Sequence, residues 1–100
     1  MTVNKNESAD TITIALSGRL DKLSSPELEK EMKEEISKKK NIIFDMKDLT
    51  YISSAGLRVL LATEKENKAN GKNTTIINVN SDVMDIFVVT GFVYMLDIQK

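Results

Sequence analysis

The sequence has no cysteine and no histidine among its 100 residues. These absences exclude disulfide bonds, thiol chemistry, histidine-based proton transfer and the usual zinc ligand sets. Any bound metal would have to rest on carboxylates alone. We therefore predict no catalytic residues, no metal site and no cofactor site.

The sequence also lacks a long apolar run and an excess of charge of one sign. No apolar stretch approaches the roughly 18 residues that span a bilayer, and the first ten residues, MTVNKNESAD, have no apolar centre of signal-peptide length. The net charge is −1, with acidic and basic residues mixed along the chain. Without a basic stripe, we expect neither nucleic acid nor a membrane surface as a direct partner. The simplest prediction is a cytoplasmic protein.

The length and the hydrophobic content of 41% predict one domain, residues 1–100, with a modest core. Strict alternation of apolar and polar residues predicts a half-buried strand at Thr11–Leu16. The nearly continuous apolar run NIIFDM is typical of a strand buried on both faces by helices. The predicted strands lie around Val3 and at Thr11–Leu16, Asn41–Met46 and Asn73–Val79.

Three helices are predicted between and after these strands. The first starts at Pro26 behind the capping hydroxyls of Ser24 and Ser25, and it buries a narrow stripe of Leu28, Met32 and Ile36. The second runs from Ser54 to Asn70, and the third runs from a Ser81–Asp82 cap to Thr90, with Gly71 and Gly91 behind their ends. The last segment, Phe92–Lys100, fits either a short strand or an amphipathic helix. The order β-β-α-β-α-β-α predicts an α/β fold: a small mixed β-sheet with crossover helices packed mainly on one face.

The stretch YISSAGLRVLL places two serines, Ser53 and Ser54, before the second helix. A helix cap explains one hydroxyl but not two, and glycine in a first helical turn is costly unless something must approach the backbone. A nucleophilic serine is not supported, because SSAG is not G-x-S-x-G and no histidine can act as base. Phosphate-binding glycine motifs are absent too. The interpretation left is that one of the serines is itself phosphorylated, because a helix N-terminus accommodates negative charge.

Four segments carry a resemblance to a known family: GRLD, IIFDMKDLTYISSAGLRVLL, TTIINV and MDIFVVTGF. Together they resemble a STAS domain of the anti-sigma factor antagonist type over nearly the whole chain. The resemblance implies that the unphosphorylated protein binds an anti-sigma factor that is also a serine kinase of the GHKL type, and so releases a sigma factor. It implies further that the kinase ends this interaction by phosphorylating a serine with ATP, and that a PP2C-type phosphatase restores it.

The sequence departs from the family pattern at the acceptor. Well-known members carry the phosphoacceptor directly before the glycine, where this chain has Ala55, and an aspartate where it has Ser53. By resemblance we predict phosphorylation of Ser54, with Ser53 as the second choice. The predicted partner-binding residues are Asp21, Ser24, Ser25, Ser53, Ser54, Ala55, Gly56, Leu57 and Arg58.

Alternatives stay open for some of these residues and for the function. Asp21 is equally explained as a turn residue that bonds local backbone, Arg58 as a solvated helix residue, and Leu57 as mostly core. Because Ala55 precedes the glycine, the chain could instead be a non-phosphorylated STAS scaffold subunit of a transporter, such as a lipid-exporting ABC system, or of a signalling complex. An enzyme is a remote alternative without histidine or cysteine.

Overall fold

The computed structural model describes residues 1–99. It contains five strands, three α-helices and one 3₁₀ turn, and among these residues no helix is both long and apolar enough to cross a membrane. In chain order they are β1 (Thr2–Glu7), β2 (Thr11–Leu20), α1 (Ser25–Ser37), β3 (Asn41–Ile52), α2 (Ser54–Ala69), β4 (Thr74–Ile77), α3 (Ser81–Thr90), the 3₁₀ turn (Phe92–Tyr94) and β5 (Asp97–Ile98).

The five strands form one mixed sheet in the order β1-β2-β3-β4-β5. β1 pairs antiparallel with β2, and every later pair is parallel. From β2 onwards each helix connects one strand to the next in the same direction across the sheet. Right-handed crossovers in one direction place all helices on the same face. The predicted fold, a small mixed sheet with crossover helices mainly on one face, is confirmed.

The core lies between the helices and one face of the sheet. On β2 the buried side chains alternate with partly exposed ones, as the sequence predicts. The register pairs Ile12 with Ile42 and Ile14 with Phe44, so these side chains share the covered face. The predicted stripe of α1 packs against this face, and its three members are buried: Leu28, Met32 and Ile36.

β3 corrects one expectation about burial. Its buried residues Ile42, Phe44 and Met46 alternate with Ile43 and Asp45, which are only partly buried. The prediction that this strand is covered by helices on both faces is therefore wrong. The apolar run is continuous because Ile43 lies on the half-open face, where the neighbouring strands give it partial cover.

Two strands are longer than predicted, and the extra residues carry the chain to the candidate site. β2 continues past Leu16 to Leu20, and β3 continues past Met46 to Ile52. The register between them shifts around Ser17 and again after Gly18, which has a positive φ of 87°. Such an irregularity breaks the two-residue alternation that identifies a strand, and glycine adopts this φ without strain.

Helix starts differ from prediction in two places, and the structure decides the ambiguous C-terminal segment. Ser24 and Ser25 do not cap α1 with their side chains, although Pro26 does lie in its first turn. α3 is capped by Asn80, whose side chain accepts a hydrogen bond from the Val83 amide at 3.0 Å, and not by the Ser81–Asp82 pair. In the ambiguous segment, the 3₁₀ turn is followed by the short strand β5, so the strand alternative is the one found. Lys100 lies outside the described residues.

Candidate functional site

The predicted site residues come together at the carboxyl edge of two neighbouring parallel strands. Leu20 at the end of β2 pairs with Ile52 at the end of β3, so the loops that follow start side by side. The backbone amide of Ser53 donates a hydrogen bond to the carbonyl oxygen of Leu20 at 2.8 Å. The β2–α1 loop, which contains Asp21, therefore lies beside the N-terminus of α2.

The two adjacent serines have different surroundings. Ser53 is half-buried, and its hydroxyl oxygen accepts a hydrogen bond from the amide of Gly56 at 3.3 Å, which caps α2. Ser54 is the first residue of the helix and is exposed to solvent. The predicted cap is confirmed for Ser53. The neighbouring hydroxyl of Ser54 is accessible, at the end of a helix where unpaired backbone N–H groups favour an anion.

Gly56 and Leu57 are predicted on the partner-binding surface, but the structure buries both. A Cβ atom on Gly56 would lie 2.7 Å from Cγ of Leu20 and 3.0 Å from Cγ1 of Ile52. The close approach that requires glycine is therefore internal, between the first turn of α2 and the ends of β2 and β3. Leu57 is core, because its side chain is 1% exposed.

Asp21 organises the loop between β2 and α1. One of its carboxylate oxygens accepts hydrogen bonds from the amides of Leu23 and Ser24, at 3.0 and 3.1 Å. These bonds, those from Ser24 first, hold the pKa of the Asp21 carboxyl below its ordinary value. The structure thus supports the alternative interpretation, in which Asp21 is a turn residue that bonds local backbone.

The two predicted cap serines belong to the same loop network. The hydroxyl of Ser24 donates to the carbonyl oxygen of Arg19 at 2.8 Å and accepts from the amide of Asp21 at 2.9 Å. The hydroxyl of Ser25, which is buried, donates to the carbonyl oxygen of Asp21. The hydroxyls of both serines therefore stabilise the loop and do not cap the backbone amides of α1. Ser25 is buried, so it is not available to a partner.

Two basic side chains lie near the start of α2. Lys22 and Arg58 both line a groove of about 330 Å³ between α1 and α2, together with Ala55, and Arg58 is exposed. At the end of β2 the Arg19 guanidinium lies over the Tyr51 ring, 4.3 Å from its centroid, and 3.9 Å from the Asp21 carboxylate. The groove is lined by acidic side chains as well, Glu29 and Glu66, so Lys22 and Arg58 are the basic groups available there to a negatively charged group.

The site presents the exposed Ser54 at the first turn of a helix. Within residues 1–99 no cluster of three carboxylates is positioned to hold a metal ion. Sequence reasoning missed Leu23, which is 88% exposed in the Asp21 loop, and Asn80, whose side chain donates to the Leu49 carbonyl oxygen at 2.6 Å. The only sequence signal for Leu23 is an apolar residue between Lys22 and Ser24, in a segment predicted as a turn.

Two curated proteins are similar to this chain in sequence over most of its length. The anti-sigma-B factor antagonist of Bacillus subtilis is 25% identical over 97 residues, which cover 97% of this chain and 89% of that protein. BtrV of Bordetella bronchiseptica is 28% identical over 86 residues, covering 85% of this chain and 74% of BtrV.

Solved structures show the same fold. Unphosphorylated SpoIIAA, an anti-sigma factor antagonist, superposes with a TM-score of 0.79 at 18% identity, covering 99% of this chain and 88% of SpoIIAA. The phosphorylated form of SpoIIAA from Bacillus superposes with a TM-score of 0.76 at 19% identity, covering 99% of this chain and 92% of that structure. The sequence profile of the STAS domain matches residues 2–100. The chain therefore belongs to the STAS domain family.

Proposed function

We propose that this protein is an anti-sigma factor antagonist whose unphosphorylated form binds an anti-sigma factor with serine kinase activity of the GHKL type, and so releases a sigma factor. Membership of the STAS family and the name of the Bacillus subtilis relative support the class of function. The observation that carries the proposal is the exposed hydroxyl of Ser54 at the N-terminus of α2, beside a Ser53 hydroxyl already committed to the helix cap.

Phosphorylation of Ser54 would leave the fold intact. The phosphoryl group adds about −1.5 to −2 charges at pH 7, and the N-terminal end of a helix favours such an anion. Ser54 is exposed, so the group would need no rearrangement of the core. Arg58 lies one turn after Ser54 on α2 and lines the groove together with Lys22, so these two side chains would offset part of the charge. The unfolding free energy should therefore change little.

The same modification would end the interaction with a partner built to meet a neutral hydroxyl. That partner would have to remove water from a dianion that it cannot pair, which is costly at an interface. Hydrolysis of the phosphoserine by a PP2C-type phosphatase would return the binding form. In this cycle the protein is a regulatory binding module and a kinase substrate, not an enzyme, and it works in the cytoplasm, where sigma factors act.

Phosphorylation by a candidate kinase tests the proposal directly. The wild-type chain, Ser54→Ala and Ser53→Ala are incubated with ATP and each GHKL-type anti-sigma factor of the source genome, and intact masses are measured. We expect one phosphate on the wild type and on Ser53→Ala, and none on Ser54→Ala. Phosphopeptide mapping should place the group on Ser54. A phosphate on Ser53 would overturn the assignment of the acceptor.

A second candidate function rests on Ala55, the half-buried residue directly before the glycine. In this alternative the chain is a non-phosphorylated scaffold subunit of a transporter or of a signalling complex. The same experiment separates the two functions. If no kinase modifies the wild-type chain and the chain instead copurifies with a permease, the scaffold function replaces the proposed switch.

A further inference from the structure

Leu23 is a large apolar side chain held in solvent at the edge that carries Ser54. It is 88% exposed, and its loop starts beside Ser53 because Leu20 and Ile52 are paired at the strand ends. The neighbouring loop residue Lys22 lines one groove with Ala55, the residue that follows Ser54 on α2. Leu23 and Ser54 therefore belong to adjoining parts of one surface.

Exposure alone does not distinguish Leu23, because single apolar side chains are common on protein surfaces. Within residues 1–99 the other strongly exposed large apolar side chains lie between Val88 and Met95. That segment begins in the last turn of α3 and precedes β5, which runs parallel to β4, so it lies at the opposite edge of the sheet. Leu23 is the one such side chain described at the Ser54 edge.

The backbone that presents Leu23 is fixed by hydrogen bonds. Its own amide donates to the Asp21 carboxylate at 3.0 Å, and the next amide, that of Ser24, donates to the same oxygen at 3.1 Å. The Ser24 hydroxyl ties the loop back to the end of β2 at Arg19. A leucine on such a loop loses little backbone entropy on binding, which is the condition that favours an apolar anchor in an interface.

We propose that Leu23 is the apolar anchor of the partner interface and inserts into an apolar pocket of the anti-sigma factor kinase that reads Ser54. The inference rests on the proposed function and deepens it, since it assigns binding energy to a residue outside the acceptor. Asp21 is then a positioning residue that acts through the loop. The partner is predicted to combine an apolar pocket for Leu23 with a polar region that accepts the neutral Ser54 hydroxyl.

The test compares Leu23→Ala with a matched control, Val89→Ala, which removes an apolar side chain that is 85% exposed at the opposite edge. The kinase identified by phosphorylation of the wild-type chain is the probe, and its dissociation constant is measured by calorimetry. We expect Leu23→Ala to weaken binding about tenfold or more, with an unchanged melting temperature, as anchor residues do. Val89→Ala should bind like the wild type, and Leu23→Met should recover most of the affinity.

The outcomes separate the two proposals. If the wild-type chain is phosphorylated and bound, and Leu23→Ala binds equally well, the anchor is wrong and the proposed function stands. Equal losses in Leu23→Ala and Val89→Ala would also contradict the anchor. If the wild-type chain binds none of the candidate kinases, the proposed function fails and the anchor fails with it.

Discussion

At the scale of single residues, Gly56 shows how the core shapes the end of α2. Replacement by alanine in a helix normally gains about 1 kcal/mol. Here the new Cβ would meet Leu20 and Ile52, both almost fully buried, at 2.7 and 3.0 Å. Overpacking of this kind costs about 1–3 kcal/mol. The steric cost should exceed the gain in helix propensity.

We therefore expect Gly56→Ala to lower the free energy of unfolding, measured by urea denaturation, by up to about 2 kcal/mol. The control is the same substitution in a Leu20→Ala background, where the smaller side chain makes room for the added methyl group. There the loss should disappear or reverse. An equal loss in both backgrounds would show that contact with Leu20 is not the cause.

At the scale of elements, ion pairs join the edge strand β1 to the C-terminal half of α1 and to the lysines that follow it. Glu35 of α1 has a side chain that is only 2% exposed, and it accepts hydrogen bonds from Lys5 at 3.0 Å and Lys38 at 2.9 Å. Glu7 of β1 pairs with Lys38 at 3.1 Å and with Lys40 at 2.6 Å. Lys5 and Glu7 point to the helix side of the sheet, because they pair with Ile14 and Ile12 of β2.

The ionisation of Glu35 is linked to stability. Burial raises the pKa of Glu35, but the hydrogen bonds and charges of Lys38 and Lys5 outweigh it and hold the pKa below its ordinary value of 4.5. Burial lowers the pKa of Lys5, but the carboxylates of Glu35 and Glu31 outweigh this effect and raise it above its ordinary value. Because the folded-state pKa of Glu35 is the lower one, its contribution is complete above about pH 4.5 and is lost as the pH falls through the folded-state pKa.

We expect Glu35→Gln to lower the free energy of unfolding at pH 7 by about 1.5–3 kcal/mol, the range for hydrogen bonds to charged groups. The difference from the wild type should shrink as the pH is lowered from 5 towards 2, since the wild-type carboxyl then becomes neutral. Urea denaturation across this range gives the measurement. A difference that stays constant with pH would contradict a charged Glu35 in the folded state.

At the scale of the whole molecule, the sequence predicts the order of elements and the core well. The alternation of β2 and the stripe of Leu28 and Met32 on α1 are local patterns, and local patterns identify which faces are buried. The ends of the strands are harder to predict from the sequence. β3 runs through the polar residues Lys47 and Asp48 to Ile52 because its neighbour β2 provides the hydrogen bonds, which no local pattern reveals.

In the candidate site, too, some features follow from local sequence and others depend on the assembled fold. The cap role of Ser53 follows from its position before an apolar helical run, and the structure confirms it. The roles of Ser24 and Ser25 do not follow, because their hydroxyls bond to Arg19 and Asp21 in a loop conformation that depends on how β2 ends. The pairing of Lys5 with Glu35, 30 residues apart, is also a product of the assembled fold.

The most direct test of the account is the affinity of the anti-sigma factor kinase for the chain before and after phosphorylation of Ser54, measured by calorimetry on the same preparation. We predict that phosphorylation weakens binding by about 2–5 kcal/mol, or roughly 30-fold to several thousandfold, while the melting temperature stays the same. Ser54→Ala should bind like the unphosphorylated form. Equal affinity of the kinase for the phosphorylated and unphosphorylated chains would contradict the account.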